Sequence, residues 1–531
     1  MGDVKKGNIK QHLMSPAERV AVNTGILYAR MGITIFITLF VTRIILDSLG
    51  AEDFGIFNLI AGAIAMLTFL NTAMAGASQR FMSYAQGEGD IKKQKYIFNV
   101  SIILHLSIAI LVIIIIEIAG YFLFKGVLSI PEGRLHAAKV IYQFMLVSTF
   151  FTIISVPYDA IINAHENMLF VAILSITETI FKLAIAIFVS YTSSDKLISY
   201  GLLMALISIV LLFIRQIYCH RKYVEVQIHP KRYFKIPLFM EMTSYAGWAL
   251  LCTTTSIVTM QGMSILLNTF FGVIVNAAQG IANQISGLLM SFSNTMLKAL
   301  NPVIVKSEGG KNRELMLKAS LTGNKISFYL YAFFAIPTII EMPFLLSIWL
   351  KETPDFAIIF CRLSLFKTLI QQPTITFYTS IAATGKVKPN SIVDSILWSL
   401  LLPISYVAFR MGSTPEVIYI NLIILALSLT LSKIYFVYRI VGLPIRRIFK
   451  DTLIPCFIVA VISTSICIIP NLLLSEGLLR FFSVAFLNSV AFLTLTFFVG
   501  LNDLEKKQFT LIVNSVFFKV KTICRTSFVK I

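Results

Sequence analysis

The feature that most constrains this chain is a succession of about fourteen apolar runs, each roughly 20 residues or longer, separated by short polar breaks. They fall at roughly 22–46, 55–79, 97–124, 138–162, 169–192, 196–218, 242–268, 273–297, 320–349, 357–383, 391–410, 416–439, 452–470 and 478–500. A bilayer's hydrocarbon is about 30 Å thick and takes about 20 helical residues to cross. Backbone amides in lipid must be satisfied within their own segment, so each run reads as a helix. The ten-residue alternation of a membrane barrel is absent. Composition closes off the soluble alternative. Apolar residues make up 57% of the 531 positions and charged residues 13%, whereas a globular domain needs about a quarter charged to cover itself.

The net charge of +19 would suggest nucleic acid in a soluble chain. Here the cations come in bursts between apolar runs, which is the signature of membrane topology. One set of loops carries Lys92, Lys93 and Lys95, then Arg221, Lys222, Lys231, Arg232 and Lys235, then Lys306, Lys311 and Arg313, then Arg446, Arg447 and Lys450. Both termini join this set through Lys5, Lys6 and Lys10 and through Lys506, Lys507, Lys519 and Lys521. The opposite loops hold Asp47, Glu52, Asp53, Asp195, Glu352 and Asp355. The positive-inside rule places the basic loops and both termini in the cytoplasm, and an even helix number agrees. The first apolar run lacks a small-residue cleavage site and reads as a retained helix.

The outward loops are short, too short for an external catalytic domain, and no catalytic constellation occurs. There is no phosphate-cradling G-x-x-x-x-G-K-[ST] loop, so ATP does not power this chain. Six scattered cysteines contain no C-x-x-C pair, and the six histidines make no ligand spacing. Neither a metal nor a cofactor is expected, and no enzyme activity.

The chain also repeats itself. Phe54-Gly55-Ile56-Phe57-Asn58 follows one outward turn, and Phe271-Gly272-Val273-Ile274-Val275-Asn276 follows another. In each half the next cytoplasmic loop holds a glycine cluster, Gly87-Glu88-Gly89-Asp90 and Gly309-Gly310-Lys311-Asn312. The offset is six helices, an even number, so the halves share orientation, as in transporters built from parallel repeats. The expectation is an all-α polytopic membrane protein with two pseudo-symmetric six-helix lobes, residues 1–235 and 236–440. Residues 441–531 add two C-terminal helices and a basic tail.

Charge inside a membrane costs about 2.5–3.5 kcal/mol per central residue and marks candidate sites. At 1.5 Å rise per residue, Arg30 lies about 12 Å deep in the first helix and Lys182 about 20 Å from the cytoplasmic face. Lys367 lies about 15 Å from the outer face, with Arg362 nearer the rim of the same helix. Glu178 precedes Lys182 by one turn, and reads equally as a neutralised packing partner or as a coupling acid. Arg30 and Lys367 have no acid at i±3 or i±4. Either another helix supplies one, or these cations line a wet cavity, the favoured reading. Such a cavity would hold an anion, with Arg suited to phosphate. Glu117, Glu341 and Lys433 fall within reach of a membrane edge and are set aside as snorkelling groups. Gln261, Asn276, Gln279, Asn283, Gln284, Asn294 and Asn301 crowd the seventh and eighth helices, dense enough that some should face a cavity or another helix. Pro157, Pro337, Pro343, Pro373 and Pro403 are candidate kinks.

A family resemblance is carried by Asn23-Thr24 through Arg30, by Leu49-Gly50-Ala51-Glu52-Asp53-Phe54-Gly55, and by Gln79-Arg80-Phe81-Met82-Ser83-Tyr84 through Gly87 and Asp90. Pro157-Tyr158-Asp159-Ala160, Ala164-His165-Glu166, Gly247-Trp248, Asn276-Ala277-Ala278, Asn301-Pro302 and Ala383-Thr384-Gly385-Lys386 continue it. In order and spacing these resemble the bacterial polysaccharide (O-antigen-type) flippases, relatives of the MATE drug exporters and the lipid II flippase. The resemblance implies flipping of undecaprenyl-pyrophosphate-linked oligosaccharide across the inner membrane by alternating access. It also implies a cationic cavity between two lobes, with Arg30 at a family position. Membrane lipids, H+ or Na+ as coupling ion, and glycan polymerase or assembly proteins are the expected partners; nucleic acid is not. A MATE-type exporter is the rival, disfavoured because the first helix carries Arg30 and 242–268 has no acid. A membrane-embedded polymerase or acyltransferase is a weaker one.

Overall fold

The computed structural model describes residues 16–67, 69–127, 130–350, 352–507 and 510. Lys5, Lys6, Lys10, Lys519 and Lys521, on which the placement of the termini drew, lie outside them, as do His12 and Cys524. No strand occurs among the described residues. The helices are α1 Pro16–Leu67, α2 Phe69–Glu88, α3 Ile91–Phe122, α4 Leu135–Ala164, α5 Met168–Tyr191, α6 Lys196–Lys222, a short α7 Pro230–Tyr233, and α8 Ile236–Gly309. They continue with α9 Arg313–Ile340, α10 Met342–Trp349, α11 Ala357–Gln371, α12 Phe377–Ala383, α13 Lys388–Arg410, α14 Val417–Phe436, α15 Ile445–Ile448, α16 Ile454–Leu473 and α17 Leu478–Leu495.

Helix covers every expected run, but the count differs. Ten described helices are long and apolar enough to cross a membrane, eleven if the bent pair α9–α10 is one span. Fourteen was expected. The second run falls across position 68, which lies outside the described residues, the seventh and eighth share the 74-residue α8, and the tenth is cut at Pro373 into α11, a 3-10 turn and α12. The chain is a multi-pass membrane protein.

Two glycines break the helical backbone inside α1 and α8. Gly50 (φ 76°, ψ 167°) and Gly272 (φ 84°, ψ −175°) adopt nearly the same left-handed conformation. That region is readily open only to a residue without Cβ. They stand 222 positions apart. The glycine whose backbone matches that of Gly272 is therefore Gly50 and not Gly55, on which the expected repeat was centred. The same interval relates Gly89 (φ 73°) to Lys311 (φ 57°), and Gly87 to Gly309.

The helices cluster into two compact units. One comprises Gly25–Thr254 with Val305–Arg313, the other Thr255–Ile304 and Glu314–Ile531 with Met1–Thr24. In the first unit Val41, Ile45, Leu174, Ala186, Val189, Ile207 and Leu211 pack α1, α5 and α6 into one core. At one end of this unit Arg134 ties α1 to the start of α6, Nε donating to Asp53 at 2.7 Å and Nη1 to Asp195 at 2.7 Å. Burial raises the Asp195 carboxyl pKa, but the Arg134 guanidinium more than offsets it and holds the group below its usual value. A depressed carboxylate stabilises the fold above the unfolded pKa and loses that contribution as pH falls through the folded one. Arg134→Gln should thus cost about 2 kcal/mol at pH 7. The difference from wild type should shrink in thermal unfolding below pH 4; an equal deficit at all pH values would refute the clamp.

At the opposite end of this unit, backbones meet at the two cluster glycines. A Cβ on Gly87 would lie 2.0 Å from the Lys306 carbonyl oxygen, and one on Gly309 2.1 Å from that of Tyr84. Both obstacles are backbone, so nothing flexible can give way. Lys306 Nζ also reaches Glu166 Oε1 at 3.2 Å. Gly309→Ala should therefore destabilise by about 1–3 kcal/mol, read as a lower unfolding temperature in detergent; an unchanged temperature would show that the helix ends separate freely.

In the second unit Met263, Leu267, Phe360, Leu365, Tyr419 and Leu422 join α8, α11 and α14. The last two helices dock on α9 through Phe328, Tyr329, Ala332, Cys456, Val459, Val484 and Phe492. Polar contacts reinforce this docking. Lys325 Nζ donates to Glu505 at 2.5 Å, Asn488 Nδ2 to the Phe333 carbonyl at 2.8 Å, and Arg480 Nη2 to Glu341 at 2.9 Å. Glu341 was set aside as an edge group able to reach headgroups. It is fully buried, because α9 ends one residue earlier and the chain turns by 81° between Pro337 and Pro343, drawing the carboxylate inward onto α17.

Candidate functional site

The membrane-embedded charges divide between the units. In the first, α1 brings Arg30 beside the α5 face that carries Ser175, Glu178 and Lys182, residues at i, i+3 and i+7. Lys182 Nζ donates to Glu178 Oε1 at 2.7 Å, the i,i+4 pair expected from spacing. Arg30 Nη1 donates to Ser175 Oγ at 3.5 Å, a long bond, and the Glu178 charge also acts on Arg30. Nε of Arg30 is buried without a hydrogen-bond partner among the described residues. Arg30, Glu178 and Lys182 are each half-buried. Two cations share one carboxylate, so the cluster keeps a net positive charge. Ser175 was not singled out from sequence, although its place three residues before Glu178 puts it on the same face.

In the second unit Lys367 on α11 is half-buried, and no hydrogen bond or ion pair engages its ammonium among the described residues. Arg362, one turn earlier on α11, is committed elsewhere. Its Nε donates to the Ile339 carbonyl at 2.9 Å and its Nη2 to that of Ile340 at 3.2 Å. A guanidinium on the last carbonyls of α9 satisfies groups that the helix leaves open and opposes its dipole. Arg362 thus serves the 81° bend, which accounts for its charge without a ligand.

Helix α8 contributes a polar stripe. Asn276, Gly280, Asn283, Gly287 and Asn294 recur along one face, and Asn283, Gln284 and Asn294 are exposed. Amides exposed at membrane depth ask for water rather than acyl chains. Asn301 is tied by Thr379 at 3.1 Å, and Gln279 is buried with neither amide atom bonded. The sequence reading also passed over Asp394, buried near the start of α13. Its carboxylate accepts from Asn390 at 2.8 Å and Ser432 at 3.2 Å, in the field of Lys433. The i,i+4 Asn390–Asp394 pair in an apolar run was its signal. No cluster of His, Cys, Asp and Glu suited to a metal occurs among the described residues.

Residues 29–187 match the MatE family model, a segment that holds Arg30, Ser175, Glu178 and Lys182. No curated protein matches. Solved structures similar to this chain include a MATE in the bent conformation (TM-score 0.69, 14% identity, 82% of this chain and 97% of that one). An outward-facing multidrug resistance MATE family transporter of the MOP superfamily gives a TM-score of 0.66 at 14% identity, with the same coverage of 82% and 97%. A MOP superfamily transporter from Pyrococcus furiosus, described by the reverse polarity of its binding pocket, gives 0.65 at 13% identity, again over 82% and 97%. The chain therefore has the helical membrane fold of the MATE transporters it resembles, and residues 29–187 match the MatE family model.

Proposed function

We propose that this protein is a transporter that flips an anionic, undecaprenyl-pyrophosphate-linked oligosaccharide from the cytoplasmic to the outer leaflet of a bacterial inner membrane, for surface polysaccharide synthesis. The observation that carries this reading is the surplus positive charge of the Arg30–Glu178–Lys182 cluster inside the membrane. A buried surplus cation is costly unless water or an anion meets it, and a guanidinium with unused donors suits phosphate oxygens. Lys367, without an acid among the described residues, adds a second such group. The polar stripe of α8 supports a hydrated path for the sugars, while a prenyl tail needs only lipid. Energy comes from a gradient, with H+ or Na+ as coupling ion, and glycan assembly proteins would take the product.

The second reading is a MATE-type cation-coupled exporter. It is favoured by the MatE match and by the multidrug transporter among the structural neighbours, and it would use Glu178 as the coupling acid. Proteoliposomes separate the two. With a fluorescent undecaprenyl-pyrophosphate oligosaccharide in one leaflet, the flippase reading expects protein-dependent transfer to the other and no efflux of ethidium. Ethidium efflux driven by a pH or Na+ gradient, without lipid transfer, would overturn it.

A further inference from the structure

A second cationic surface, sharing no residue with this cluster, lies where α3 begins and the segment between α6 and α8 crosses it. Tyr96 and Tyr233 meet edge to face, ring centroids 5.5 Å apart. Lys235 Nζ sits 4.4 Å over the Tyr96 ring, and Arg232 Cζ and Lys95 Nζ lie 5.4 and 5.8 Å from that of Tyr233. Such contacts fix long side chains without neutralising them. Among the described residues none of Lys95, Lys231, Arg232 and Lys235 has a carboxylate within ion-pair distance. Glu225, whose charge feels Lys95, is buried and bonded to His165 at 2.5 Å. The segment is anchored rather than loose. Asn99 donates to the Gln227 carbonyl and accepts from the His229 amide, each at 2.8 Å. Flanking the cations of this segment on both sides, Val224, Ile228, Ile236 and Met240 are exposed apolar side chains.

Cations flanked by apolar groups at one helix end match the boundary between headgroup phosphates and acyl chains. We propose that Lys95, Arg232 and Lys235, framed by Tyr96 and Tyr233, form a binding site for the phosphate of an anionic glycerophospholipid in the leaflet facing the basic loops. The exposed apolar residues of 224–240 rest in the acyl region beneath. The site is separate from the transport cluster and independent of which substrate is carried.

Native mass spectrometry of the full-length protein, extracted from vesicles of equal phosphatidylglycerol and phosphatidylcholine, tests this. Each cation near an anionic surface is worth roughly fivefold in affinity. The triple variant K95Q/R232Q/K235Q should therefore lose the phosphatidylglycerol preference by about 100-fold. Tyr96→Leu leaves every cation in place and should weaken the preference about threefold by freeing Lys235. Raising salt from 50 to 500 mM should weaken wild type and leave the triple variant unmoved. Equal retention of both lipids by wild type, or an unchanged preference in the triple variant, would overturn the proposal. Should the triple variant fail to extract, the Tyr96→Leu and salt results decide it: no change in either sinks the site.

Discussion

Arg30→Ala is expected to insert and fold normally yet lose lipid transfer about 30-fold or more. Truncating one side of a desolvated charge contact costs about 2–5 kcal/mol, and about 1.4 kcal/mol is a decade. Folding should be spared, because the bond to Ser175 is long and Nε has no partner to lose. Arg30→Lys should recover only part of the activity, since an ammonium keeps the charge but not the planar pair of donors. Glu178 then distinguishes the two functional readings. If the cluster binds an anion, Glu178→Gln removes a competing carboxylate and tightens binding of the pyrophosphate lipid, seen as a lower half-saturating concentration. If the protein exports cations, the same change removes the coupling acid and abolishes efflux. Proteoliposome transfer with each variant, beside a size-exclusion profile for folding, measures both. Wild-type transfer in Arg30→Ala would remove Arg30 from the site.

Arg480→Met is expected to be the most destabilising single change in the second unit. It strands the Glu341 carboxylate, which is fully buried and already has one oxygen without a partner. Breaking a buried pair by deleting one member costs about 3–5 kcal/mol, while removing both charges is often nearly neutral. The double variant E341Q/R480M should hence recover most of the loss, and the coupling between the two changes should exceed about 2 kcal/mol. Unfolding of the purified protein in mixed detergent measures the cycle; additive single effects would mean that the pair is not energetically joined. Lys325 with Glu505 has the same logic further back along α9, so a marked loss there too would place these ion pairs among the determinants of how the last two helices dock.

Local chemistry in the sequence was enough for a good part of this. The helical runs follow from apolar length, because lipid offers a backbone no other partner. Glu178–Lys182 follows from helical spacing. The match in backbone between Gly50 and Gly272 did not follow. Phe54-Gly55 resembles Phe271-Gly272 as letters, but a left-handed φ marks Gly50 as the break, and a dihedral angle is not visible in composition. Depth along a helix singled out Arg30, Lys182 and Lys367 as candidates. It could not say that Arg362 would turn back onto the carbonyls of α9, because both carbonyls lie more than 20 positions away and meet it only after an 81° bend.

The same limit explains Glu341. Counting residues from a membrane edge measures height, and at that height a side chain may face water, lipid or protein. Which of these it meets is fixed by the neighbouring helices, here α17, 139 residues further on. The sequence by itself determined that this chain lives in a membrane as helices, because hydropathy and helical period are properties of single segments. Only the tertiary structure decided which charges pair, which cap a helix and which are left over, because pairing depends on distances between segments that no local pattern encodes.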